Sequence, residues 1–134
     1  MQRIILIAAA LLLAPFLMAT SCNRSNSCRE AICTAIFSSV MVQVKTSDNV
    51  SVQLDEVYTI RTKNGEKITL SQSMAEGRYH VLDDSYQKRI ANTTEAFRFV
   101  GKKSGQTIVD EPYLISADCC HVKKESGKDV ITVP

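Results

Sequence analysis

The sulfur and imidazole groups of this chain are few: Cys22, Cys28, Cys33, Cys119, Cys120, His80 and His121. Cys22 belongs with the apolar leader before it, and the other four cysteines form an even set. In an exported domain such a set reads first as disulfides, because that compartment lets them persist. Bridges between the two ends of the domain would close a loop of about 90 residues, worth on the order of 4.5 kcal/mol in the chain-entropy model. That is large beside the whole stability of a small domain. A bridge between the neighbours Cys119 and Cys120 would need a strained turn. Each is therefore expected to reach back to one of Cys28 and Cys33, and spacing leaves open which goes to which.

A metal site is the competing use of the same residues. Cys119 and His121 share a face if they lie on one strand, and Cys28 and Cys33 would complete a zinc set. Against this, Cys28 and Cys33 are five apart rather than a tight pair, and Cys120 would be left over. Neither pair is a C-x-x-C at a helix start, which argues against a redox site. No metal and no cofactor are expected.

Catalysis by histidine needs an orienting carboxylate and a nucleophile. On a strand Asp118 would face away from His121, three residues on. Arg78, Tyr79 and His80 could serve a binding loop but read as ordinary strand residues. The remaining carboxylates alternate with Lys and Arg in the manner of a solvated surface. The expectation is a non-catalytic module, not an enzyme. The alternative is a thiol or metal protein, or an enzyme, using Cys119 and His121.

The leader sets the address. Residues 4–17 are almost wholly apolar, follow the single cation Arg3, and end in the small residues Ala19, Thr20 and Ser21. That is a secretory signal, too short for the ~20 residues of a bilayer-spanning helix and broken by Pro15. The stretch 17–22 resembles a bacterial lipobox, although Ala19 stands where Leu is usual. The resemblance implies cleavage before Cys22 and a diacylglycerol on its sulfur, so the membrane is the first expected partner. Two or more acyl chains anchor stably where one does not. Residues 1–21 are thus expected as signal peptide, 22–32 as a lipidated flexible tether, and 33–134 as the folded domain.

Removal of 21 of the 134 residues leaves 113, one domain's worth. Arg3 departs with them, so 15 basic residues face 14 acidic ones, for a net charge of +1. That balance, with no clustered basic face, argues against nucleic acid. Trp is absent and aromatics make up only 6%, which leaves few rings for a carbohydrate platform.

The elements that must position these groups read as strands. Ile36, Val40, Val42 and Val44 alternate with Phe37, Met41 and Gln43, which predicts a long strand from residue 34. Val50, Val52 and Leu54 predict a short second one. Residues 57–62 and 66–70 predict a hairpin; a three-residue loop with Gly65 left-handed would set Ile60 opposite Ile68. Residues 78–82 make another strand, and 84–91 the one candidate helix, capped by Asp83 or Asp84. Residues 95–101 and 106–117 predict a hairpin over Ser104-Gly105, with Arg98 near Asp110 or Glu111. Finally, 118–124 and 128–133 are expected to pair, with Val122 opposite Ile131. The fold class is all-β, an antiparallel β-sandwich of immunoglobulin-like or transthyretin-like type, with an open barrel as runner-up.

The motif Asp118-Cys119-Cys120-His121-Val122 with Cys33-Thr34-Ala35 resembles small lipoproteins of the Bacteroides group. Their sandwich is similar to the carboxypeptidase-regulatory-like, transthyretin-type domain. The resemblance spans most of the mature chain and implies structural disulfides but no activity. Lipoproteins of that group destined for the surface carry an acidic cluster after the Cys. Residues 23–27 have none, so an outer-membrane protein facing the periplasm is expected, with an envelope protein or glycan as possible partner.

Overall fold

The structure is a computed structural model that describes residues 28–71, 75 and 77–134; the leader and Cys22 lie outside them. It is an all-β sandwich. A three-stranded sheet contains β1 (Ser39–Thr46), β4 (Arg78–Asp83) and β8 (Val130–Val133) in the order β4-β1-β8. A five-stranded sheet contains β2 (Glu56–Arg61), β3 (Glu66–Ile68), β5 (Thr93–Lys103), β6 (Gln106–Ala117) and β7 (Val122–Ser126), ordered β3-β2-β5-β6-β7.

Alternation produces the core. Val40, Val42 and Val44 of β1, with Val81, Ile131 and Val133, face Phe97, Phe99, Tyr113 and Ile115 of the other sheet, and all are buried. Period-two patterning puts every second residue on one face, and two such faces close over each other. Tyr79 is buried in this core with its hydroxyl satisfied: it donates to the Val52 carbonyl at 2.9 Å and accepts from Leu54 N at 2.7 Å. It is a structural residue, not part of a binding loop. Arg98 pairs with Asp110 across the β5–β6 hairpin, its Nε 2.9 Å from the carboxylate. The hairpin turns on Ser104 and Gly105, both at positive φ.

Five expectations need correction. The first strand begins at Ser39, not at residue 34, and Ile36 is 72% exposed. Residues 34–38 run as a lead-in that pairs with no strand. Residues 50–54 form only an isolated bridge at Ser51; Val52 and Leu54 turn inward while Val50 stays outside.

The β2–β3 register differs by one residue from the expected one. Thr59, not Ile60, lies opposite Ile68, across a loop of residues 62–65 that keeps Gly65 left-handed at φ 71°. Matching apolar residues across the hairpin misled, because the inward face of β2 carries polar groups with dedicated partners. The Thr59 hydroxyl donates to the Val81 carbonyl of the other sheet at 2.5 Å. Arg61, on the same face, forms a bidentate pair with Glu95 at 2.6 and 2.7 Å.

The last two strands do not pair with each other. β7 pairs antiparallel with β6, whereas β8 crosses to the other sheet and runs parallel to β1, with Val44 opposite Ile131. Among the described residues, every other strand pair is antiparallel. The crossing is fixed by Gly127 at φ 120° and by the Tyr113 hydroxyl, which donates to the Lys128 carbonyl at 2.6 Å. It brings Ile131 and Val133 into the core and gives β1 a partner on its second edge. The expected helix is a single 3-10 segment, Asp84–Arg89, with Asp83 as its cap.

Candidate functional site

Residues 118–121, expected as part of a strand, instead form the tight loop joining β6 to β7, closed by the Ala117–Val122 pair. The Asp118 carboxylate makes this loop. It accepts from the backbone N–H of His121 at 2.8 Å and of Cys120 at 2.6 Å. Those two bonds hold its carboxyl below the usual carboxylate range. A side chain that caps its own loop in this way is the ordinary use of Asp in turns.

Both cysteines of the loop are bridged to the lead-in. Cys28 is bonded to Cys119 with Cα atoms 5.0 Å apart, and Cys33 to Cys120 at 5.3 Å. Adjacent residues can each reach a different partner because they sit in a bend, where their side chains diverge. The connectivity that spacing left open is thus parallel, first to first and second to second. Of the expected tether 22–32, residues 28–32 are fastened to the domain at Cys28. The Asn92 amide lies 3.0 Å from the Cys28 sulfur, on a residue held left-handed at φ 57°.

His121 lies beside these bridges and is part-buried. Its Nδ1 is 2.7 Å from Asp84 Oδ2, and its Nε2 is 3.0 Å from the Thr34 hydroxyl. An ionised carboxylate only accepts, so in the neutral ring the proton sits on Nδ1 and Nε2 accepts from Thr34. Asp84 also accepts from Ser38 N at 2.7 Å and Val122 N at 2.8 Å. Burial raises its carboxyl, but the bonds from His121, Ser38 and Val122 outweigh that and leave it below its ordinary value. Ser38 Oγ donates to the Val122 carbonyl at 3.1 Å, and the buried Gln87 amide donates to the Asp118 carbonyl at 2.5 Å.

The carboxylate for His121 is therefore Asp84, 37 residues away, and not its near neighbour Asp118. Nothing in the sequence marks this pair, because Asp84 reads as a helix cap and the two meet only once the sheets have stacked. The hydroxyl–imidazole–carboxylate order matches the chain used to activate a nucleophile. Its setting does not match: Asp84 is shared with two backbone donors, and two grooves beside β1 are lined by none of Thr34, Asp84 and His121. Among the described residues, no group of three or more His, Cys, Asp or Glu is placed to hold a metal. The Cys119 sulfur is committed to Cys28, which leaves the thiol alternative without a thiolate.

The arrangement is a knot of covalent and polar links at one end of the sandwich. No family model, curated protein or solved structure matches this chain. The resemblance to Bacteroides-group lipoproteins accordingly rests on the cysteine motifs and the lipobox-like stretch. His80 lies on β4 opposite Met41 of β1 and is part-buried.

A second polar cluster closes another margin of the core. Arg61 bridges to Glu95, Tyr86 donates to Glu66 at 2.7 Å, and Arg89 also pairs with Glu66. Tyr86 packs edge-on against Phe97. The hydrogen bond from Arg61 holds the Glu95 carboxyl below its usual range. Every member is spent on another, and the cluster reads as a polar seal.

Proposed function

We propose that this chain is a non-catalytic cell-envelope lipoprotein module, anchored by acyl groups on Cys22 and facing the periplasm from the outer membrane. The observation that supports it best is the pair of long-range disulfides, Cys28–Cys119 and Cys33–Cys120, spanning 91 and 87 residues. Bridges of that kind persist outside the reducing cytosol. The leader and the lipobox-like residues before Cys22 supply the route. In this reading the domain is a rigid display body whose loops meet an envelope protein or glycan. Fatty-acid labelling of the full chain in a bacterial host tests it. Label should attach to the wild type and be lost in Cys22→Ala; an unlabelled, cytosolic protein with free thiols would end the proposal.

The hydroxyl–imidazole–carboxylate order, with Thr34 3.0 Å and Asp84 2.7 Å from the His121 ring, supports a second and weaker reading, an esterase-like enzyme at Thr34 activated by His121 and Asp84. It requires ester hydrolysis by the purified protein that disappears in Thr34→Ala while folding is unchanged.

A further inference from the structure

We propose that the end of the sandwich bearing the lead-in lies against the bilayer surface, with Ile32, Ile36 and Phe37 seated among the lipid headgroups and upper acyl chains. This inference rests on the anchor reading and adds an orientation to it.

Among the described residues, the large apolar side chains left exposed are Ile32, Ile36, Phe37, Val50, Leu114 and Val130. The three most exposed fall within six positions of one another in the lead-in: Ile32 at 98%, Ile36 at 72% and Phe37 at 65%,. Large apolar groups gathered at one end of a small domain mark a contact surface. The length of chain toward Cys22 says what covers it. Six Cα steps separate Cys22 from Cys28, a reach of at most about 20 Å when fully extended. Cys28 in turn is bonded to the β6–β7 loop. An acylated Cys22 therefore holds this end, and not the far end, at the membrane.

The lead-in is also fixed in its outward pose. Cys33 is bridged to Cys120, Thr34 is bonded to His121, and Ser38 is bonded to Asp84 and Val122. Apolar side chains on a backbone tied at both ends do not fold back into the core. An interfacial contact buries such groups about 5–10 Å below the headgroup level. The partner is thus a lipid surface, the one the anchor itself occupies.

Val50 is the internal control. It is 61% exposed and follows the other end of β1, an eight-residue strand of roughly 25 Å. The chain contains no tryptophan, so Ile36→Trp, Phe37→Trp and Val50→Trp each introduce a single reporter at an exposed site. The full chain is recovered from membranes of a bacterial host and its N-terminal mass measured. It is then placed in phosphatidylethanolamine–phosphatidylglycerol vesicles with brominated acyl chains. A thiol count verifies the fold of each variant, and Ile32→Trp replaces any variant that misfolds.

The expected result is blue-shifted emission and loss of fluorescence at positions 36 and 37, with position 50 unquenched. Acylated protein without quenching at 36 and 37, or with equal quenching at 50, overturns this proposal alone. A blue shift indifferent to bromine also overturns it, by placing a second copy or a protein partner on the patch. An N terminus without acyl mass overturns the anchor reading, and the orientation with it.

Discussion

Removing the disulfides one at a time and then together should give free energies that do not add. The bridges close loops of 91 and 87 residues, each worth about 4.6 kcal/mol if it acted alone in the chain-entropy model. They do not act alone. Once Cys28–Cys119 is in place, Cys33 and Cys120 are already neighbours, and the second bridge closes a ring of about eight residues, worth about 2.5 kcal/mol in the same model. The argument is symmetrical. Either pair replaced by Ser (Cys28→Ser with Cys119→Ser, or Cys33→Ser with Cys120→Ser) should cost about 2.5 kcal/mol, while replacement of all four should cost about 7. The excess over additivity, about 2 kcal/mol, is the signature of two staples sharing one constraint.

Urea unfolding followed by far-ultraviolet circular dichroism suits a chain that lacks tryptophan. At an m-value of about 1–3 kcal/mol/M, each pairwise variant should lower the midpoint by roughly 1–2 M. The fourfold variant should sit near the edge of folding, since a domain of this size has about 5–15 kcal/mol in all. Two pairwise losses near 4.6 kcal/mol that sum to the fourfold loss would refute the reasoning. They would mean that the bridges constrain separate loops, contrary to the parallel pairing.

Three further outcomes follow from the polar contacts and one glycine. Asp84→Ala strands Ser38 N, Val122 N and His121, and should cost about 2–4 kcal/mol at neutral pH. Because the folded Asp84 carboxyl lies below its ordinary value, its contribution is present above the unfolded value of about 3.9 and is lost as pH falls through the folded one. The gap between the urea midpoints of wild type and variant should therefore narrow as the pH is taken below the ordinary carboxylate range. Arg61→Ala leaves the Glu95 carboxylate, only 10% exposed, without its cation, and should lower stability by about 3 kcal/mol, read as a Tm fall of roughly 10 °C or more. Arg61→Lys should restore little, because the bidentate geometry is lost. Gly127→Ala would set a methyl group onto the buried Tyr113 ring, whereas Gly105→Ala, also at positive φ, meets open space. The second should cost about 1 kcal/mol and the first distinctly more, as thermal melts of the two would show.

What could be read from the sequence was whatever repeats every two residues or is set by local chemistry. The alternation over Val40, Val42 and Val44, the turn at Ser104-Gly105, the reach of Arg98 to Asp110 or Glu111 (Asp110 in the structure) and the cap at Asp83 or Asp84 (Asp83 in the structure) all depend on neighbours within one hairpin or one turn. The errors share an opposite cause. The register of β2 on β3 is decided by Thr59 and Arg61 finding partners on Val81 and Glu95, strands that a hairpin argument does not contain. The parallel placement of β8 on β1 depends on which sheet has an open edge after stacking. Asp84 meets His121 for the same reason. A carboxylate read as a cap has no reason, in sequence, to serve a histidine 37 residues on. The cysteines are legible as a set because an even set of four suits disulfides, and not as pairs, because pairing depends on a bend at residues 119–120 where the sequence predicts strand.

The knot raises a question of purpose that its geometry helps to answer. Among the described residues, none before Val40 belongs to the buried core. A segment that adds nothing to the core would ordinarily fray as a terminus. Here it carries two disulfides, the Ser38 bonds and the Thr34–His121–Asp84 chain. Stapling lowers the entropy of the unfolded chain, but one bridge would supply most of that gain, as the nested-loop arithmetic shows. The second bridge and the polar links add chiefly position: they fix the direction in which the chain leaves the sandwich and the face that Ile36 and Phe37 present. A tether held only by its last residue would let the domain tumble at its anchor. In the proposed anchoring, fastening at Cys28, Cys33 and Ser38 ties the tether to one end of the sandwich, so the loops at the Val50 end are the ones held away from the point of attachment.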